Sequence, residues 1–171
     1  MRKISLAALL IVSLSIVWNS CSTDEYCISD VVAYLKMGFY SWENGEKVEM
    51  NIQKLIAYGC SMEGLPYDSI LNKNKIELPL SNLSDTSCFV LQFEVPPTET
   101  DSISTTEHIS DTLTIIYSRR LYLISPVCGF SYDYDLRSVS TTNNHIDSIN
   151  IEIPVVTITE IDENENIEVL L

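Results

Sequence analysis

A period of two is the feature that most limits what this chain can fold into. Between Val31 and Leu171, apolar residues recur at every second position in short runs, and turn-forming residues part the runs about every ten positions. Val31, Ala33, Leu35, Met37 and Phe39 share a face, and Asn44-Gly45 follows as a tight-turn pair. A strand from Lys47 to about Ala57 alternates through Val48, Met50 and Ile52, then slips phase at Leu55 as a bulge would make it. Ser69 to Leu80 reads as a strand, an Asn72-Lys73-Asn74 turn and a second strand that Pro79 confines to an edge. Phe89, Leu91, Phe93 and Val95 mark a strand that Pro96-Pro97 stops, and Thr98 to Ser110 reads as an exposed loop. Thr112–Ser118 and Leu121–Ser125 read as a hairpin joined at Ser118-Arg119-Arg120. Phe130, Tyr132, Tyr134 and Leu136 share one face of the next strand, and Ser131, Asp133 and Asp135 share the other. Ile149, Ile151 and Ile153 alternate again, Asp162–Asn166 is a turn, and Ile167, Val169 and Leu171 form a last strand. No helical period competes. The expected fold is all-β: an antiparallel β-sandwich, immunoglobulin-like, of about seven to nine strands, in a single domain over residues 31–171.

The residues before that domain have another character. Arg2 and Lys3 precede an apolar stretch from Ile4 to Val17, and Asn19-Ser20 lead into Cys21. A charged start, an apolar middle and a small-residue end make a secretory signal peptide. As a helix, about fourteen apolar residues rise roughly 21 Å, short of the roughly 30 Å hydrocarbon core of a bilayer. A cleaved leader is therefore expected over residues 1–20. Cys21 at the cut is the expected lipid-attachment residue, and residues 21–30 form a polar tether. Asp24-Glu25 just behind that cysteine resembles the surface-export signal of Bacteroidetes lipoproteins.

The chain carries 24 acidic and 10 basic residues, a formal net charge of −14. Such a surface repels nucleic acid and anionic headgroups, so no nucleic-acid partner is expected. Five cysteines are present. With Cys21 acylated, Cys27, Cys60, Cys88 and Cys128 remain, an even number that reads as two disulfides in an exported chain. Three connectivities are open; Cys27–Cys128 with Cys60–Cys88 is the favoured one. A zinc site fails on spacing, since no Cys-x-x-Cys occurs and neither His108 nor His145 lies near a cysteine in sequence.

Catalytic constellations are sparse. There is no Gly-x-Ser-x-Gly elbow, no His-Glu-x-x-His and no glycine-rich phosphate loop. His108 and His145 both fall in stretches that read as loop. A Cys–His pair using Cys88 or Cys128 would need free thiols, which an oxidising compartment disfavours. Asp133 and Asp135 lie two apart on one outward strand face, the spacing for a calcium ion or for paired carboxylates at a glycosidic bond. Two solvated charges opposite the core is the plainer account. Asp162-Glu163-Asn164-Glu165-Asn166 opens like an EF-hand but has Ile167 where that loop needs glycine, so no metal is expected there. Tyr132 and Tyr134 are expected in the core, with a glycan-stacking platform as the alternative. No cofactor is expected.

Four stretches together resemble a family of small Bacteroidetes cell-envelope lipoproteins: Ile76-Glu77-Leu78-Pro79-Leu80, Asp111 to Tyr117, Ile124-Ser125-Pro126-Val127-Cys128-Gly129-Phe130, and Ile146-Asp147-Ser148. The Ser-Pro-x-Cys-Gly-Phe piece is the most specific. The resemblance implies an envelope location and carries no catalytic residues. The functional expectation is a lipid-anchored outer-membrane protein, periplasmic or surface-facing, working as a non-enzymatic binding or assembly module with a protein or glycan partner. A carboxylate-dependent envelope hydrolase and a purely structural subunit are the alternatives.

Overall fold

The computed structural model describes residues 32–61, 66–95, 107–158 and 164–171. The readings that fall on residues 1–31 lie outside them: the leader, the lipidated Cys21, the tether and Cys27. Asp162 and Glu163 do so as well. Within the described residues there are strands and no helix. The strands are β1 (Tyr34–Glu43), β2 (Glu46–Glu49), β3 (Ile52–Gly59), β4 (Pro66–Lys73), β5 (Lys75–Pro79) and β6 (Thr86–Val95). They continue with β7 (Glu107–Ser125), β8 (Gly129–Thr141), β9 (Ser148–Ile151), β10 (Val155–Val156) and β11 (Ile167–Leu170).

Two sheets face each other across one core. The larger has the order β10-β8-β7-β6-β3-β4. The smaller runs β2-β1-β11-β9, with β5 also paired to β1. Alternation puts Leu35, Met37 and Phe39 of β1 and Ile167 and Val169 of β11 into the core from one side. Leu91, Phe93, Leu113, Ile115 and Tyr117 meet them from the other. Phe39 meets Phe93 edge to face across the gap, with ring centroids 6.1 Å apart. The expected β-sandwich is thus present, antiparallel except where β1 pairs in parallel with β11.

Three local readings differ from the structure. The Lys47–Ala57 run is two strands, because β2 pairs with β1 while β3 joins the other sheet, the chain crossing over at Met50-Asn51. Eleven strands are described where about seven to nine were expected. The phase slip inside β3 is real: Ile52 and Leu55 are both buried with two exposed residues between them. Next, β7 starts at Glu107, so the tail of the expected Thr98–Ser110 loop is strand, while residues 96–106 lie outside the description. Finally, Ser118-Arg119-Arg120 is no turn. β7 runs straight through it because each arginine finds a partner: Arg119 Nε donates to Asp85 at 2.6 Å, and Arg120 donates to Asp133, its cross-strand neighbour, at 2.7 Å. The turn comes at Pro126-Val127-Cys128, closed by Gly129 at φ 75°. The Asn44-Gly45 turn stands as read, with both residues at positive φ as a type I′ hairpin requires.

Candidate binding face

Two features meet at one end of the sandwich. The first is an open cleft of about 780 Å³ where β3, β5, β6 and β8 come together. Its wall carries the disulfide between Cys60, just after β3, and Cys88 in β6, which confirms that expected pairing. Ser81, Ser87 and Tyr134 of its lining belong to a hydroxyl network that runs beneath it to Tyr117. Ser87 and Tyr117 share a hydrogen bond of 2.7 Å, the Tyr117 hydroxyl donates to Ser81 O at 3.0 Å, and the Ser81 N–H donates to Ser87 at 2.9 Å. Tyr134 donates to Leu80 O at 3.4 Å. Burial pushes both phenols above their ordinary pKa, so they remain protonated donors at neutral pH. The rim is apolar. Val32, Leu83 and Phe130 stand in water around the opening, Leu83 at 89% exposure. Leu83 is held out by its loop: Ser81 Oγ accepts from the Leu83 and Ser84 N–H groups, and Arg119 ties Asp85 and Asn82 O to β7.

The second feature is a two-stranded arm. Pairing of β7 with β6 ends at Ile116, and beyond it the described strands give β7 only β8 as a neighbour. Among the described strands, residues from about Leu121 to Tyr132 are therefore paired only with each other, as a ribbon beyond the β6 edge of the sheet, with Ser131 buried on its outer face. The inward face of β7 continues Tyr117, Arg119, Leu121, Leu123, and the inward face of β8 continues back through Tyr132 to Phe130. Leu121, Leu123, Val127 and Phe130 on the arm are each more than half exposed. Ser125 Oγ accepts from the Cys128 N–H at 3.0 Å and shapes the tip. The Ser-Pro-x-Cys-Gly-Phe motif is this tip. Cys128 is itself disulfide-bonded, to a partner outside the described residues.

The sequence-derived candidates fall at different places. Asp133 and Asp135 do share the outer face of β8, beside a pocket of about 290 Å³, but each is held by an arginine. Asp133 accepts from Arg120, and Asp135 lies 3.0 Å from Arg137. One Asp133 oxygen, Oδ1, is shielded from solvent without a hydrogen-bond partner. Among the described residues no group of three or more His, Cys, Asp and Glu side chains could hold a metal. His108 sits in β7 and not in a loop. His145 lies in a connection as read, yet it is partly buried, its ring 4.9 Å from that of Phe93. Tyr134 is in the core as expected, whereas Tyr132 is half-buried, lines the cleft and lies beneath Arg119 at 5.9 Å.

Sequence reasoning missed two polar residues that hold the end-to-end geometry. Asp111 is fully buried in β7. Burial would raise its pKa, but the Asn144 N–H, the Thr142 hydroxyl and the Ile146 and His145 N–H groups all donate to it and hold it below the ordinary carboxylate value. It thereby pins the connection that carries the chain from β8 in one sheet to β9 in the other. Asn166 exchanges hydrogen bonds with both backbone groups of Lys36 in β1, and its amide donates to Val155 O in β10 at 3.0 Å. An isolated aspartate among apolar strand residues is the one signal that points to Asp111. Asn166 gives none beyond turn propensity.

These features define a disulfide-clipped β-sandwich domain with an open apolar cleft and a projecting ribbon at one end. The chain belongs to the Family of unknown function (DUF6452), whose sequence profile matches residues 54–171, from within β3 through β11. No curated protein and no solved structure matches it.

Proposed function

We propose that this protein is a lipid-anchored component of the Bacteroidetes outer membrane, mature from Cys21, that acts without catalysis as a binding or assembly module. Its contact face is the disulfide end of the sandwich, and its partner is a protein or glycan of the envelope. The observation that carries this reading is the ring of apolar side chains left in water around the cleft, Val32, Leu83 and Phe130. Solvent-exposed apolar groups clustered at a concave site mark a contact surface. The Cys60–Cys88 disulfide fits an oxidising compartment outside the cytoplasm. The carboxylate-hydrolase reading draws less support, because Asp133 and Asp135 are each engaged by an arginine instead of facing one another across a cleft.

The test is photocrosslinking in intact membranes with the lipid in place. A photoreactive residue at position 83 is expected to give one discrete adduct, and the same group at the exposed position 71, on β4, none. Equal or absent crosslinking at both positions would remove the contact-face claim. An unchanged mature mass and membrane association in Cys21→Ala would remove the lipid anchor.

A further inference from the structure

We propose that the β7–β8 arm is a second membrane-contacting element, taking a lipid bilayer surface against its tip and inward face. The inference rests on the lipid-anchor reading and concerns the arm alone, with the cleft left to the protein or glycan partner.

Three observations converge on the arm. Its composition is exceptional for the strand-forming part of this chain: from Leu121 to Tyr132 there is no Asp, Glu, Lys, Arg or His, in a protein where one residue in five is charged. The flanking charges cancel locally, since Arg119 pairs with Asp85 and Arg120 with Asp133, so the strong negative charge of the rest is not repeated here. Next, the arm's apolar groups are in water. Leu121 and Leu123 are each 52% exposed, Val127 62% and Phe130 63%, while Tyr132 on the same face stands beside them as an amphipathic aromatic of the kind that suits a membrane interface. The outer face of the arm is covered at Ser131, 4% exposed, so the apolar groups left in water are those of the inward face and the tip, the side open to a surface. Last, the chain leads the anchor to this place. Val32, where the described chain begins, lines the same cleft as Phe130. Cys128 at the arm tip is disulfide-bonded, and Cys60 and Cys88 are joined to each other, so its partner is Cys21 or Cys27. An acylated Cys21 leaves Cys27. Five residues then lie between the lipidated cysteine and the one bonded to the arm tip, a reach of at most about 22 Å.

A single lipid anchor placed that close makes any further apolar contact effectively intramolecular, so a few partly inserted side chains suffice to orient the body. The bilayer is favoured over a folded partner because the tether's length brings it to the tip in every copy.

The experiment uses the lipidated full chain in vesicles of phosphatidylethanolamine and phosphatidylglycerol with brominated acyl chains. Trp42→Phe removes the background tryptophan. Phe130→Trp reports on the arm, and Leu71→Trp reports on an exposed site opposite Lys54, at the other end of β3 from the cleft. The expected result is at least about twofold stronger quenching at position 130, lost in Leu121→Asp/Leu123→Asp while the protein still floats with the vesicles. Equal quenching at both positions in floating protein overturns the arm proposal and leaves the anchor standing. A blue-shifted, unquenched signal at position 130 also overturns it, since another part of this chain, a second copy or a protein then covers the arm. Protein that does not float overturns the anchor and the arm together.

Discussion

Asp111 shows how one side chain can hold a crossover. Its two carboxylate oxygens accept four hydrogen bonds from Thr142, Asn144, His145 and Ile146, and no cation sits among those donors. An amide in its place must turn a donor toward donors. Asp111→Asn is expected to lose about 2–3 kcal/mol of stability at neutral pH, read as a lower urea midpoint. The pH dependence follows from the depressed pKa. The folded value lies below the unfolded one, so the stabilisation is fully present above about pH 4 and is lost as the pH falls through the folded value. The gap in urea midpoint between the parent and Asp111→Asn is therefore expected to narrow below about pH 4. A gap that stays constant down to acid would show that the carboxylate charge contributes nothing.

Among the elements, the two sheets are joined by hydrogen bonds as well as by the core. Asn166 links β1 in one sheet to β10 in the other through Lys36 and Val155. Asn166→Ala is expected to cost about 2 kcal/mol and to release amide exchange protection at β10 before the rest of the larger sheet. The Cys60–Cys88 disulfide closes a loop with a sequence separation of 28 residues. Replacing both cysteines with alanine is expected to lower stability by about 3–4 kcal/mol, mainly by freeing the unfolded chain, and thermal melts of the oxidised proteins would measure it. Strand faces were legible in the sequence wherever burial was one-sided. Phe89, Leu91 and Phe93 and the Ile167–Val169 pair point inward as their alternation requires. What remained hidden depended on partners distant in sequence. Arg119 and Arg120 look like a turn until Asp85 and Asp133 are opposite them. The change of sheet between β2 and β3 leaves no mark because Val48, Met50 and Ile52 alternate straight across it. The arm was visible as a motif at Ser125–Phe130, but that no described strand other than β7 and β8 pairs there is a property of topology, which periodicity does not encode.

At the scale of the whole molecule, charge and connectivity set the limits. A formal charge of −14 repels itself in the compact state, and the described ion pairs lie at the surface, where each contributes little. Raising sodium chloride from about 20 mM to about 200 mM is expected to raise Tm by about 2–5 °C, because screening relieves repulsion that outweighs these pairs. A Tm that falls with salt would mean that the pairs dominate. If the body is held from its N-terminal side, as proposed above, the parallel union of β1 and β11 has a mechanical meaning. β1 lies between β11 on one edge and β5 and β2 on the other. On the proposed anchor, a pull that passes the Cys128 disulfide would draw β1 lengthwise against both sets of neighbours, so their hydrogen bonds would bear the load simultaneously instead of unzipping one after another. β1 is thus braced on both edges against being drawn out lengthwise by flow or crowding.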